Sequence, residues 1–107
     1  MSNQSTAVYR TQGGRKMELK QGEGRLYLHT EEDMEAGEII YEELGNELLI
    51  IKHTYTHDGF QGQGVGKKLL NGMVEKARTE GKKIRPICEF AKAVMEKNEI
   101  YHDVLEK

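Results

Sequence analysis

The stretch GFQGQGVGKKLL, Gly59 to Leu70, constrains this chain more than any other, because it joins a strand signal to a helix signal through Gly59, Gly62, Gly64 and Gly66. Upstream, Leu48–Ile51 is apolar at four successive positions, the pattern of a central strand covered on both faces. Downstream, Val65, Leu69, Met73 and Ala77 recur every four residues with Leu70 and Val74 beside them, while Lys67, Lys68, Asn71, Glu75 and Lys76 fall elsewhere. That period predicts an amphipathic helix, ending at Gly81, whose missing Cβ suits a left-handed cap. Strand, glycine loop and helix in this order predict an α/β domain.

Spacing limits what the loop can hold. A Walker loop needs glycine five positions before the Gly-Lys pair and a hydroxyl after it, but those positions are Gln61 and Lys68. A dinucleotide fingerprint counted from Gly62 and Gly64 needs a third glycine where Lys67 stands. The remaining pattern is Q-x-x-G-x-G, formed by Gln61, Gly64 and Gly66. Backbone N–H groups at a helix start have no intrahelical partner and carry the positive end of the dipole, so they suit an anion. Glycines let a bulky diphosphate approach, and Lys67 and Lys68 add charge at the rim. A plain strand-to-helix turn stays open on residue types alone.

Other elements follow from pattern. Gly24–Thr30 alternates Leu26 and Leu28 against Arg25, Tyr27 and His29, the period of a strand with one buried face. A loop over Glu31–Gly37 leads to strands Glu38–Leu44 and Glu47–Tyr55, and the Gly45-Asn46 pair between them signals a tight hairpin. Lys82–Cys88 reads as a short strand that Pro86 confines to an edge, an end or a bulge. Two short helical patterns with a break near Asn98 finish the chain. At 107 residues this is one small domain, expected over 17–107. The polar, acid-free segment 1–16 is expected to be a disordered leader or cloning remnant.

Charge narrows the partners. Three of the 16 basic residues (Arg10, Arg15 and Lys16) lie in that leader and all 18 acidic residues lie beyond it, so the body is net acidic and nucleic acid is not an expected partner. No apolar run approaches the ~20 residues of a bilayer span. One cysteine, Cys88, permits no internal disulfide and suits a reducing, cytoplasmic setting.

The loop resembles the acyl-CoA pyrophosphate loop of the GNAT N-acetyltransferase superfamily, R/Q-x-x-G-x-G/A between a central strand and a helix. The likeness extends to the small single-domain branch of that superfamily. It is carried by His53-Thr54-Tyr55-Thr56, the loop, Pro86-Ile87-Cys88 and the C-terminal NEIYHDVL, over roughly Arg25 to Leu105. Thr56 stands where valine is usual, and Glu89 where a second proline often follows the cysteine. The resemblance implies a mixed, mainly antiparallel sheet with a long helix after the loop and short C-terminal helices. It implies acetyl-CoA or coenzyme A as cofactor, and a small-molecule or protein amine as acceptor. Gln61, Gly62, Gln63, Gly64, Val65, Gly66 and Lys67 would then cradle the pyrophosphate. Backbone groups near Thr54 and Tyr55 would pair with the pantetheine arm, and the thioester would point between the His53 and Cys88 strands.

Acyl transfer needs a nucleophile, a proton acceptor and donors for an oxyanion. Apart from Ser2 and Ser5 the chain has no serine, so a serine hydrolase is excluded. Cys88 is the strongest nucleophile available, and a thiol needs a neighbouring imidazole or cation to become a thiolate near neutrality. His53 is the candidate partner and base. By residue type alone Cys88 reads better as a small buried residue, an order that the resemblance reverses, and His53 reads equally well as an ordinary polar strand residue. A metal is not expected, since the His53 and His57 spacing serves ligands on a helix rather than a strand. Direct attack by the amine is the alternative chemistry, with Tyr101 an acid by type only and Glu42 and Glu43 a solvated face. A coenzyme A-binding or thiol-sensing module without turnover is the alternative function. An interaction domain whose glycine loop is only a turn is a third.

Overall fold

The computed structural model describes residues 7–10 and 16–107. Among these, six strands form one sheet in chain order: β1 (Ala7–Arg10), β2 (Lys16–Gly22), β3 (Arg25–Thr30), β4 (Glu35–Leu44), β5 (Leu48–Thr56) and β6 (Lys83–Pro86). Neighbours pair antiparallel until β5 and β6, which run parallel. A parallel pair needs a long crossover, and α1 (Val65–Glu80) supplies it. The chain closes with α2 (Glu89–Lys97) and a 3₁₀ turn, Glu99–Tyr101.

Sequence explains most of these elements. Leu26, Leu28 and Thr30 are buried on one face of β3, as alternation predicts. α1 buries Val65, Leu69, Leu70, Met73, Val74 and Ala77, and Gly81 caps it at φ 70 with its N–H directed to the carbonyls of Ala77 and Arg78. Hydrophobic residues from the sheet, α1, α2 and the 3₁₀ turn merge into a single cluster that includes Leu28, Ile39, Leu69, Met95 and Tyr101. Truncating one such fully buried Leu or Met to Ala typically costs ~2–5 kcal/mol.

Several expectations change. β2 is an added strand, and β4 opens at Glu35, inside the expected loop. The hairpin turn has three residues, since Leu44 pairs with Leu48, and its positive φ lies at Gly45. Leu48, Leu49 and Ile51 are buried but Ile50 is only half-buried, because the helices cover one face of the sheet. Of the segment expected as a leader, positions 1–6 and 11–15 lie outside the described residues. Ala7–Arg10 pairs with β2, and Lys16 opens β2.

Candidate active site

The loop between β5 and α1 is built on left-handed glycines. Gly59, Gly62 and Gly64 have φ of 90, 82 and 73, a region that side chains disfavour. Gly64 caps α1 without any side-chain hydrogen bond, and no acidic residue stands in the first turn. The Lys68 N–H donates to the Gly64 carbonyl at 3.0 Å, which leaves the N–H groups of Val65, Gly66 and Lys67 without an intrahelical acceptor. They and the dipole favour negative charge. A Cβ on Gly62 would meet nothing within 4 Å, so this backbone faces open space. The two lysines part company: Lys67 lines the cleft, whereas Lys68 turns its ammonium to the Gln63 carbonyl at 2.9 Å.

The loop forms one wall of a cleft of about 440 Å³, to which Gln61, Gly62, Gly64, Val65, Gly66 and Lys67 contribute. Thr54 and Thr56 of β5, together with Phe60 and Phe90, complete its lining. Gln63 turns its amide to the Gly59 carbonyl, 3.4 Å away, and stays within the loop. Thr56, Phe60 and Phe90 were not expected from sequence to line the cleft. Thr56 follows from Thr54 by alternation, and Phe60 is the apolar residue in a polar loop. Phe90 has no local signal, because it reaches the loop only through tertiary packing. A Cβ on Gly66 would lie 2.9 Å from its ring.

At the far end of the cleft the sheet splits. Parallel pairing stops at Ile51 and Pro86, and the N–H groups of Ile87 and Cys88 both reach the Ile51 carbonyl, at 2.9 and 3.2 Å. β5 runs on to Thr56 while the segment after β6 turns into α2, so among the described residues no strand lies beside β5 from Lys52 onward on this edge. Cys88, the N-cap of α2, sits in the fork, half-buried and free of any disulfide. Glu89 continues into the first helical turn, where a carboxylate suits the dipole.

His53 is not the neighbour of this thiol. Cys88 Sγ lies 3.5 Å from Thr54 Oγ1, and His53, one residue earlier, projects from the other face of the sheet with its ring parallel to Tyr55 at 6.3 Å. The cause is a β-bulge. Ile39 pairs with Thr54 and Tyr41 with Ile51, so one residue too many lies between two core-facing positions of β5. Alternation counted from Ile51 would have put His53 in the cleft, and the bulge reverses it. Tyr55, whose backbone was the expected cofactor contact, turns its exposed ring to the open face, beside His57 at 4.9 Å. Tyr101 is buried and donates to Asn71 at 2.8 Å. Glu42 and Glu43 pair with Lys52 and Lys82 on the surface. Among the described residues no group of three or more His, Cys, Asp and Glu side chains is arranged for a metal ion, and no helix is long and apolar enough to cross a membrane.

This arrangement has relatives. A sequence profile of the GCN5-related N-acetyl-transferase family matches residues 25–104. A GCN5-like protein from Staphylococcus aureus, solved by NMR, is 43% identical and superposes with a TM-score of 0.68, over 82% of this chain and 86% of that one. Crystalline nourseothricin acetyltransferase is 19% identical at a TM-score of 0.49, over 78% of this chain and 58% of that one, too distant to bear on function. The curated proteins contain no match. The profile spans most of the chain and the fold agrees, so the chain belongs to the GCN5-related N-acetyltransferase family.

Proposed function

We propose that this acetyltransferase binds acetyl-CoA in the cleft between β5 and α1 and passes the acetyl group to an amine of a small molecule or a protein. The observation that carries the proposal is the continuity of two features. A glycine-walled helix N-terminus suited to a diphosphate opens into a cleft that leads to the fork between β5 and Cys88. The bound thioester would supply an activated acetyl group. Gln61 to Lys67 would hold the diphosphate by backbone N–H groups, and Lys67 would add charge from the rim. The unpaired backbone of β5 near Thr54 would hold the pantetheine amides as an added strand does. Phe60 and Phe90 would give the bound cofactor an apolar contact surface.

Cys88 stands where the thioester would arrive, yet its contact is the Thr54 hydroxyl, which is no base for a thiol. Direct attack by the amine is therefore the favoured chemistry, and acyl transfer through Cys88 the less favoured. Its free, half-buried sulfur also keeps the second reading in play, a module that binds coenzyme A or senses its thiol without turnover. Mass spectrometry of the native protein with and without acetyl-CoA tests all of this. The expected result is a bound cofactor mass and no acetyl on Cys88. No binding at millimolar cofactor would sink the proposal. Acetyl on Cys88, lost together with transfer in Cys88→Ala, would restore the cysteine route. Binding without coenzyme A release across an amine panel would favour the sensing module.

A further inference from the structure

On the open face of the sheet, a chain of side chains from three elements converges on the first residue of the glycine loop. Glu35 begins β4, and the register shift between Leu28 and His29 on β3 inserts one extra residue between Gly37 and Glu35. Gly37 faces α1, since a Cβ there would strike Val65, so the bulge turns Glu35 to the opposite face. There its carboxylate bridges two partners. One oxygen accepts from Arg25 Nη2 at 2.5 Å, and the other lies 2.9 Å from His57 Nε2. Arg25 is itself fixed by Glu38 at 2.7 Å and lies over the Tyr27 ring at 4.1 Å.

His57 is where the sheet hands over to the loop. Its N–H donates to the Ala36 carbonyl at 2.9 Å, and its own carbonyl accepts from Phe60, a residue of the cleft wall, at 3.1 Å. By contrast, the side chains of Gln61, Gln63 and Lys68 bond to groups within the loop itself. The imidazole thus ties the loop's first residue, through Glu35, to a cation on β3. We propose that His57 is a positioning residue, which Glu35 and Arg25 hold so that the loop presents its N–H groups to the diphosphate from a fixed starting point. This inference rests on the coenzyme A reading above. Its role concerns binding, because neither His57 nor Glu35 lines the cleft.

The test is isothermal titration of coenzyme A into the full chain and its variants, alongside steady-state kinetics. His57→Ala and Glu35→Gln should each weaken binding about two- to fivefold, the size of a partly exposed ion pair, and raise KM for acetyl-CoA in proportion while kcat holds. His57→Gln, whose amide keeps a side-chain hydrogen-bonding group toward Glu35, should recover part of the loss. His102→Ala, remote from the loop, should bind as wild type does. If wild type binds and His57→Ala, Glu35→Gln and His57→Gln bind as well as it does, the positioning role is wrong. A fall in kcat at unchanged affinity would also overturn it, making His57 a chemical group instead. If wild type itself binds no coenzyme A, the functional reading fails and takes this inference with it.

Discussion

Gly37 and Gly64 are glycines for different physical reasons, and substitution separates them. A Cβ on Gly37 would lie 2.6 Å from both the Tyr55 carbonyl oxygen and Val65 Cγ1, so backbone and helix start would have to move. Gly37→Ala should cost ~1–3 kcal/mol in urea denaturation, as overpacking does, and a midpoint equal to wild type would show that β5 yields. At Gly64 the nearest obstacle is the flexible end of Lys68 at 3.2 Å, and the penalty comes from φ +73. Gly64→Ala should cost ~1–2 kcal/mol and weaken coenzyme A binding more than Gly37→Ala does, because it distorts the cap that presents the N–H groups. Titration of both variants checks the order. The loop glycines were legible because their spacing is chemical information in itself. The partner of Cys88 was not legible, since a single bulged residue near Lys52 reverses every side chain that follows it on β5.

Among the elements, α1 was the most readable, because its apolar period and its capping glycine agree. β2 left the expected trace, with Met17 and Leu19 alternating against Glu18 and Lys20 and Gly22 and Gly24 marking the turn. Four residues of alternation next to an atypical N-terminal segment look like its continuation, which hides the strand. The last residues form an element of their own. Ile84 donates to the Val104 carbonyl at 2.6 Å, Glu106 donates to the Ile84 carbonyl at 2.8 Å, and Val104 is buried at 4% exposure. This tail covers the outer edge of β6, which would otherwise present unpaired groups. Deleting residues 104–107 should destabilise the domain by ~2 kcal/mol or more from the valine alone, and should promote association through the bared edge. Denaturation and light scattering read the two effects separately. A truncated chain as stable and monodisperse as the full one would show that β6 needs no cover.

For the molecule as a whole, one covered and one open sheet face mean that apolar burial lies on the helical side and charge pairing governs the rest. Burial pushes the Glu35 carboxyl up, but hydrogen bonds from His57 and Arg25 more than offset it and hold the group below the usual range. Glu80 behaves alike, burial opposed by Lys76 and Lys82, while Arg78 lowers Asp103 and Arg85 lowers Glu106 chiefly through hydrogen bonds. A carboxylate lowered on folding contributes stability that is fully present above its unfolded value, about 4, and is lost as pH falls through its lower folded value. The urea midpoint should therefore be flat above about pH 5 and decline steadily below about pH 4. Exposed pairs such as Arg85 with Glu106 add little each, so the partly buried Glu35 cluster should dominate the acid slope. Glu35→Gln should then be less stable than wild type near neutrality and approach it near pH 3, where wild type has lost the same charge. A gap between the two that stays constant with pH would mean that Glu35 acts through packing rather than charge.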